Sequence, residues 1–202
     1  MNNLRFVLAS NNKGKLKEMR EILAELGIEV MSQKEAGIAS EPEEDGTTFE
    51  ENAIIKAKAA MEASGLPAIA DDSGIAVDAL NGEPGIYSAR YGDCGSDEER
   101  VEYLLKNMEN EEHRAAKFVS SIAVAFPNGD VLTTLGEWHG TLTYAPVGEN
   151  GFGYDPVFYM EQFGRTLAQV SAEEKNSVSH RGKALRAMKE KLTEYFKENT
   201  IC

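Results

Sequence analysis

The sequence lacks a long apolar run, and it contains little cysteine. No window approaches the roughly 18 consecutive apolar residues of a transmembrane helix, so we expect no membrane partner. The opening MNNLRFVLASNNKGK has only a short apolar run and no small-residue cleavage pattern, which predicts no signal peptide. Cys94 and Cys202 show no metal-ligand spacing and fit free thiols in a reducing compartment. These features together predict a cytoplasmic protein.

Positive charge is also scarce. The chain has 21 Lys and Arg residues against 34 Asp and Glu residues, a formal net charge of −13. A strongly acidic chain binds nucleic acid and anionic membranes poorly, so we expect neither as a partner. A small anionic ligand is not excluded, because the field of the whole protein is screened beyond about 8 Å at physiological salt. Nearby lysine and arginine side chains then determine whether an anion binds.

Strands and helices alternate along the chain of 202 residues, which is long enough for one large domain or two small lobes. Residues 4–9 read as a buried strand and 28–31 as a short one. Between them, apolar residues from Leu16 to Leu26 recur at helical spacing, and Gly27 is placed to end that helix.

Caps and a turn mark the remaining elements. A Ser or Thr followed three residues later by Glu opens a helix, and Pro-Asn-Gly-Asp between two apolar runs is a hairpin signal. On these signals we predict helices from Thr48 to about Ser64 and from Ser96, and a hairpin of strands 116–126 and 131–139. We also predict a strand at 157–159 and a last helix from Ser179. This mixture indicates an α/β fold with a mixed sheet.

The stretch VLASNNKGKLKEM runs from a strand through a turn into a helix. The amides and the dipole at a helix N-terminus favour an anion, and Lys13 and Lys15 lie at the same turn. Ser10 and Asn12 add hydrogen-bonding groups. The loop is not a Walker A motif, because no Ser or Thr follows Lys15. It is either a phosphate loop or a capped helix with surface lysines.

Two carboxylates stand side by side in the apolar stretch PAIADDSGIAVDAL, residues 67–80. A buried carboxylate needs a partner, and neighbours in a strand point to opposite faces, so only one of Asp71 and Asp72 can face a given cleft. The alternative is a turn, since Asp-Asp-Ser-Gly is also good loop chemistry.

An acidic run precedes the second helix, on which Asn52 and Lys56 share a face because they are four residues apart. The acidic residues of this run are Glu41, Glu43, Glu44 and Asp45. Such a run is usually a solvated surface, and alone it is a weak signal.

The C-terminal third holds two further signals. In GFGYDP, glycines flank an aromatic residue whose face could stack on a base, although an ordinary loop is the alternative. Ser179 as an N-cap places His180 and Arg181 in the first helical turn, where the dipole disfavours cations, and this supports an anionic or polar ligand there. Phosphate donors, paired carboxylates and a stacking aromatic together suit a nucleoside triphosphate with Mg²⁺.

Five segments in this order resemble the inosine/xanthosine triphosphate pyrophosphatase family, over about residues 5–190: SNNKGK, FEENAIIKAKAA, ADDSGIAVDALNGEPGIYSARY, GFGYDPVF and EEKNSVSHRGKAL. The resemblance implies a single α/β domain, residues 1–202, with an elongated mixed sheet flanked by helices and two lobes around a central active-site cleft. It also implies a homodimer and Mg²⁺-dependent hydrolysis of ITP, dITP and XTP to the monophosphate and pyrophosphate, a nucleotide house-cleaning activity.

The resemblance also implies the site residues. Asp72 matches the catalytic aspartate and, with Glu44, the metal site, which leaves Asp71 a supporting role. The residues that match substrate contacts are Ser10, Asn11, Asn12, Lys13, Gly14, Lys15, Lys56, Ser73, Phe152, Gly153, Tyr154, Asp155, Lys175, His180 and Arg181. The role of Lys13 is open.

Three alternatives to this function remain at the level of sequence. Pyrophosphatases that begin with LAS followed by Ser-Pro-Arg-Arg share the N-terminal signal and act on other nucleotides. A nucleotide-binding module without turnover would need the phosphate loop and the aromatic residue but not the carboxylates. A metal-dependent phosphatase would release orthophosphate instead of pyrophosphate.

Overall fold

The computed structural model describes residues 4–39, 42–171, 173–175 and 179–199. Glu41, Cys202 and residues 176–178 of the segment EEKNSVSHRGKAL lie outside these ranges. The strands are β1 Leu4–Leu8, β2 Ile28–Ser32, β3 Ala68–Val77, β4 Ala115–Ala125, β5 Val131–Leu142, β6 Phe158–Met160 and β7 Arg165–Thr166. The helices are α1 Lys13–Ala24, α2 Phe49–Ser64, α3 Asp97–Asn107 and α4 His180–Asn199.

The strands form one seven-stranded sheet in the order β2-β1-β3-β4-β5-β6-β7. Strand β1 pairs in parallel with both β2 and β3, whereas β6 pairs antiparallel with β5 and β7. The predicted α/β class with a mixed sheet is therefore confirmed. No helix in the described ranges is both long and apolar enough to cross a lipid bilayer.

The chain divides into two compact units that are interleaved along the sequence. The first consists of Met1–Asp72, Ser120–Leu135 and Lys183–Cys202, and the second of Ser73–Val119 and Gly136–Gly182. Strands β3, β4 and β5 contribute residues to both units. The predicted central cleft and elongated shape stay predictions.

Each unit has its own apolar core. In the first unit, side chains of α1 and α4 such as Met19 and Leu185 pack with Phe6 of β1. An alanine-rich cluster in the same unit joins α2 to β1 and β3. The core of the second unit is built on larger side chains, including Trp138 and Phe158.

The predicted helix starts are confirmed at their caps. The Thr48 hydroxyl accepts the Glu51 N–H at 3.1 Å, and Ser96 accepts the Glu99 N–H at the same distance. The Glu51 carboxylate, however, accepts the N–H of Thr47, the residue before the cap, at 2.7 Å. The last helix is capped as predicted, since the Gly182 N–H donates to the Ser179 hydroxyl at 3.0 Å.

Some boundaries differ from the sequence prediction. Helix α1 ends at Ala24, earlier than predicted, and Gly27 closes the following turn with a φ of 70°. Strand β6 starts at Phe158, because Val157 belongs to a 3₁₀ turn. Asp71 and Asp72 lie inside β3, so the turn alternative for this stretch is wrong.

Candidate active site

The parallel strands bring two loop starts and the middle of β3 to one edge of the sheet in the first unit. Leu8 of β1 is level with Ile69 of β3 and with Ser32 of β2. Ser10 therefore follows β1 near the level of Asp71, and Gln33 directly follows β2. The carboxyl ends of parallel strands are the usual ligand-binding edge of such sheets.

A cavity of about 190 Å³ opens at this edge. It brings together the phosphate loop, the acidic run, α2 and β3. Its lining residues are Ala9, Ser10, Lys15, Gln33, Pro42, Glu44, Lys56 and Asp71.

Asp71 holds the lysine of the phosphate loop. Its carboxylate is buried, with the Ser120 hydroxyl donating to Oδ2 at 2.9 Å and the Lys15 ammonium paired with Oδ1. The supporting role expected for Asp71 thus has specific partners: it fixes the position of a cation that the resemblance assigns to phosphate binding.

Asp72 pairs with a different lysine, as expected for neighbours that point to opposite faces of a strand. Lys56 Nζ lies 2.7 Å from Asp72 Oδ1 and 3.3 Å from Glu44 Oε2. The two predicted metal ligands therefore converge on a single ammonium group, and one cation can reach both carboxylates.

Charge and burial oppose each other at this pair. Burial raises the pKa of Asp72, the Lys56 ammonium opposes this rise, and the charges of Glu44 and Asp71 add to it. Burial acts to lower the pKa of Lys56, but the hydrogen bond to Asp72 and the charges of Asp72, Glu44 and Asp71 together outweigh it. The Lys56 pKa is therefore raised, and its ammonium stays charged at neutral pH. Three carboxylates thus face two lysines, an excess that favours a further cation.

The donor set fits a hard divalent cation. Asp72 Oδ2 is buried and has no hydrogen-bond partner within the described ranges, and Glu44 is only partly buried. Mg²⁺ is commonly held by one or two carboxylates together with substrate phosphates. In the part of the chain that the structure describes, no group of three or more His, Cys, Asp or Glu residues could hold a metal ion, so two carboxylates would need phosphate oxygens to complete the site.

The phosphate loop uses part of its own hydrogen-bonding capacity. The Asn12 N–H donates to Ser10 Oγ at 3.1 Å, and the Lys15 N–H donates to Asn12 Oδ1 at 3.0 Å. These two amides are therefore already hydrogen-bonded within the loop, that of Lys15 to the N-cap of α1. Lys13 and Gly14 form the first two residues of that helix.

The glycine-rich loop belongs to the second unit, and its aromatic side chain is open. Phe152 is 65% exposed, and Lys175 Nζ lies 4.7 Å from its ring centroid. The buried Asp155 carboxylate accepts the Phe152 N–H at 3.0 Å and contacts Lys175 Nζ at 2.5 Å. A Cβ at Gly151, where φ is 78°, would lie 2.1 Å from Asp155 Oδ2, so only glycine fits there.

Two predicted substrate contacts of this loop have buried side chains. Tyr154 is 5% exposed, and its hydroxyl donates to the Ser88 carbonyl at 2.8 Å. Asp155 is 2% exposed and fixes the loop, as described above. Ligand contact by these two side chains is not supported by the structure, which leaves their backbone groups. Gly153 also has a role in the loop, since its N–H donates to Asp97 Oδ2 at 2.7 Å.

The start of α4 combines a packed histidine with a partly buried arginine. The His180 ring is buried and stacks on Phe118, with ring centroids 5.1 Å apart and an interplanar angle of 13°. This packing partly explains why a histidine occupies the first turn of α4, where a cation is disfavoured. Arg181 beside it is only partly buried, as is Ser73 of β3.

Comparison with known proteins identifies the family of this chain. The model of the Ham1 family matches residues 6–191. The chain belongs to the Ham1 family. The dITP/XTP pyrophosphatase of Yersinia pseudotuberculosis is 49% identical over 194 residues, covering 93% of this chain and 98% of that protein. The protein of the same name from Thermus thermophilus is 48% identical over 189 residues, covering 93% and 91%.

Solved Ham1 structures share the fold. A HAM1 protein from Coxiella burnetii superposes with a TM-score of 0.90 at 45% identity, covering 95% of this chain and 99% of that chain. The Ham1 protein of Staphylococcus aureus gives 0.89 at 42% identity, with the same coverage. The resemblance on which the sequence prediction rested is confirmed, and the related fold with Ser-Pro-Arg-Arg is set aside.

Two polar residues of this candidate site, Gln33 and Ser120, were not identified from the sequence. Gln33 is buried, and its side-chain oxygen lies 3.5 Å from Asn11 Nδ2. Its place directly after a strand parallel to β1 is a signal that could have found it. Ser120 reaches Asp71 from β4, 49 residues away, and no local pattern marks such a contact.

Proposed function

We propose that the chain hydrolyses dITP, XTP and ITP to the nucleoside monophosphate and pyrophosphate, with Mg²⁺ as cofactor. One observation carries the proposal: Lys56 joins Glu44 to Asp72, whose Oδ2 is buried with no partner in the described ranges. The phosphate loop with Lys15 borders the same cavity. The names of the relatives support the same activity.

Glu44 and Asp72 are the proposed ligands of Mg²⁺. When bound, the cation supplies positive charge that offsets the charge of the triphosphate oxygens. The chain's own cations act in the same direction: Lys15, held by Asp71, and Lys56 stabilise negative charge that grows on the leaving pyrophosphate. Their fixed partners keep both ammonium groups in place before the substrate arrives.

Asp72 is the proposed acceptor of the proton of the attacking water. Its Oδ1 is occupied by Lys56, so Oδ2 is the atom that remains for this proton or for the cation. A general base must lie within hydrogen-bonding reach of the proton that it accepts. Lys56 thus orients the carboxylate as well as neutralising charge.

We propose that residues of the second unit contact the base and the sugar of the nucleotide. The open face of Phe152 can stack on any purine, so it provides affinity without discrimination. Discrimination requires hydrogen-bond donors at position 6 of the purine, where inosine and xanthine carry an oxygen and adenine carries an amino group. The proposed donors and sugar contacts are Ser73, Lys175, His180 and Arg181.

A homodimer in the cytoplasm completes the proposal, on the strength of the family resemblance. Size-exclusion chromatography with light scattering measures the mass directly: the dimer predicts twice the 22.1 kDa of the chain. A mass of one chain at micromolar concentration would contradict it.

The test of the function is a panel of nucleoside triphosphates with Mg²⁺ and purified protein, in which pyrophosphate and orthophosphate are measured separately. We expect pyrophosphate and the monophosphate from ITP, dITP and XTP, and little product from ATP. Orthophosphate as the first product would favour a phosphatase instead. Binding of ITP without any product would favour a nucleotide-binding module.

A further inference from the structure

Asn52 on α2 is a buried polar residue that the mechanism above does not use. It is 1% exposed, and its Oδ1 accepts the Gly46 N–H at 2.9 Å. Its Nδ2 is buried and makes no hydrogen bond within the described ranges. A buried donor without a partner lowers stability, and an apolar side chain of similar size would avoid this penalty. Packing alone therefore does not explain an asparagine here.

The contact with Gly46 is close. A Cβ at Gly46 would lie 2.5 Å from Asn52 Oδ1 and 3.0 Å from the Asn52 backbone nitrogen. The loop backbone therefore lies directly against the first turns of α2, and it has no room for a side chain at this point.

Gly46 is two residues from Glu44, whose Oε2 lies 3.3 Å from Lys56 Nζ. Lys56 follows Asn52 by one helical turn on the same helix. Helix α2 thus holds the acidic run at two points: Asn52 holds the backbone after Glu44, and Lys56 holds the carboxylate itself.

We propose that Asn52 is a positioning residue, which sets Glu44 for the divalent cation by anchoring Gly46. Without the anchor, Glu44 would have to be ordered when the cation binds, and the affinity for the cation would fall. The link to the cation rests on the proposed function, whereas the anchoring of the loop does not.

The anchor is tested by hydrogen exchange on the nucleotide-free protein. In Asn52→Leu, which keeps the volume but removes the acceptor, we expect the Gly46 amide to exchange about tenfold faster, while amides in the middle of α2 keep their rates. Thr48→Ala is the matched control, because it removes a cap of the same helix and leaves the Gly46 hydrogen bond in place.

The effect on the cation is tested by the Mg²⁺ concentration that gives half-maximal ITP hydrolysis. Loss of a residue that orients a metal ligand typically weakens metal affinity about 10-fold to 100-fold. We expect this constant to rise at least about tenfold in Asn52→Leu, with kcat largely recovered at high Mg²⁺. Gly46→Ala, whose Cβ displaces the loop, should act in the same direction, and Thr48→Ala should leave the constant within twofold of wild type.

Unchanged exchange of the Gly46 amide in Asn52→Leu would overturn the proposal, and so would a Mg²⁺ constant equal to that of Thr48→Ala. If Asn52→Leu does not fold, Gly46→Ala decides, by the protection of the amide at position 46 relative to its intrinsic exchange rate and by the Mg²⁺ constant. If the wild-type protein hydrolyses no triphosphate, the proposed function fails, and the Mn²⁺ affinities of wild type and variants, measured by electron paramagnetic resonance, then decide the role of Asn52.

Discussion

Asp71 and Asp72 are adjacent in sequence but have separate partners. One carboxylate binds Ser120 and Lys15, and the other binds Lys56. The alternation of side chains along a strand, applied to the sequence, predicts this separation, and it also explains why two adjacent acidic residues bind different lysines. Their partners could not be predicted, because the contacts come from other segments of the chain.

Asp72→Asn removes the proposed proton acceptor and one metal ligand while keeping the shape of the side chain. We expect kcat for ITP to fall at least about 100-fold, the range in which general-base residues contribute. Thermal unfolding followed by circular dichroism should show a folded protein. Hydrolysis of ITP by Asp72→Asn at the wild-type rate would contradict the assignment.

Arg181→Ala tests base selection. Arginine is always a donor, so it suits the 6-oxygen of hypoxanthine and leaves donor facing donor with adenine. Such mismatches can reject a substrate by about 10⁴-fold, and we expect the preference for ITP over ATP to fall substantially in this variant, chiefly through slower ITP hydrolysis.

The measurement for this prediction is kcat/KM for both nucleotides. Phe152→Ala serves as the control, because stacking does not distinguish the bases and both values should fall together. A ratio of ITP to ATP that stays at the wild-type value in Arg181→Ala would remove Arg181 from the specificity site.

At the scale of elements, contacts between residues close in sequence can be predicted, whereas contacts between distant residues cannot. The caps at Thr48, Ser96 and Ser179 involve residues within four positions, so the sequence predicts them correctly. The two-residue strand β7 has no local signal, because only its pairing with β6 makes it a strand. The buried side chain of Tyr154 was missed for the same reason: its partner Ser88 is 66 residues away.

Asp97, at the start of α3, binds the glycine-rich loop through a carboxylate whose contribution to stability depends on pH. Burial acts to raise the pKa of Asp97, but hydrogen bonds from the Arg100 side chain and the Gly153 N–H outweigh it, so this pKa lies below its usual range. A carboxylate with a lowered pKa contributes stability above its unfolded pKa of about 3.9, and this contribution disappears as the pH falls through the lower folded value.

Asp97→Asn should therefore lower the free energy of unfolding at pH 7 and flatten its decline as the pH falls below about 4. Urea unfolding at a series of pH values measures both effects. Glu98→Gln, which removes one negative charge from the neighbouring residue, is the control. Parallel pH profiles for wild type and Asp97→Asn would show that this pair contributes nothing to acid stability.

At the scale of the whole molecule, the two units share strands and so should unfold together. Leu185 is fully buried in the first unit, and Leu104 in the second. Each Leu→Ala substitution should cost about 2–5 kcal/mol of unfolding free energy. Trp138, the only tryptophan, lies in the core of the second unit and reports on it by fluorescence.

If unfolding is one cooperative transition, Leu185→Ala will shift the unfolding midpoint measured by Trp138 fluorescence as much as the midpoint measured by circular dichroism. Leu104→Ala, placed in the same unit as the tryptophan, calibrates the size of the shift. A fluorescence midpoint that does not move in Leu185→Ala would instead mean that the second unit unfolds independently.

The interleaved connectivity also sets an order of events on the ribosome. Every residue of the second unit precedes Lys183, so that unit is fully synthesised while the first still lacks its last segment. Phe6 and Met19 are made before the second unit, yet they share a core with Leu185 and Met188, which are made after it. The core of the first unit therefore stays incomplete until α4 is synthesised, although earlier members such as Ile69 and Ile122 are already present. Nascent chains released before α4 would expose the part of this core that α4 covers to chaperones and proteases.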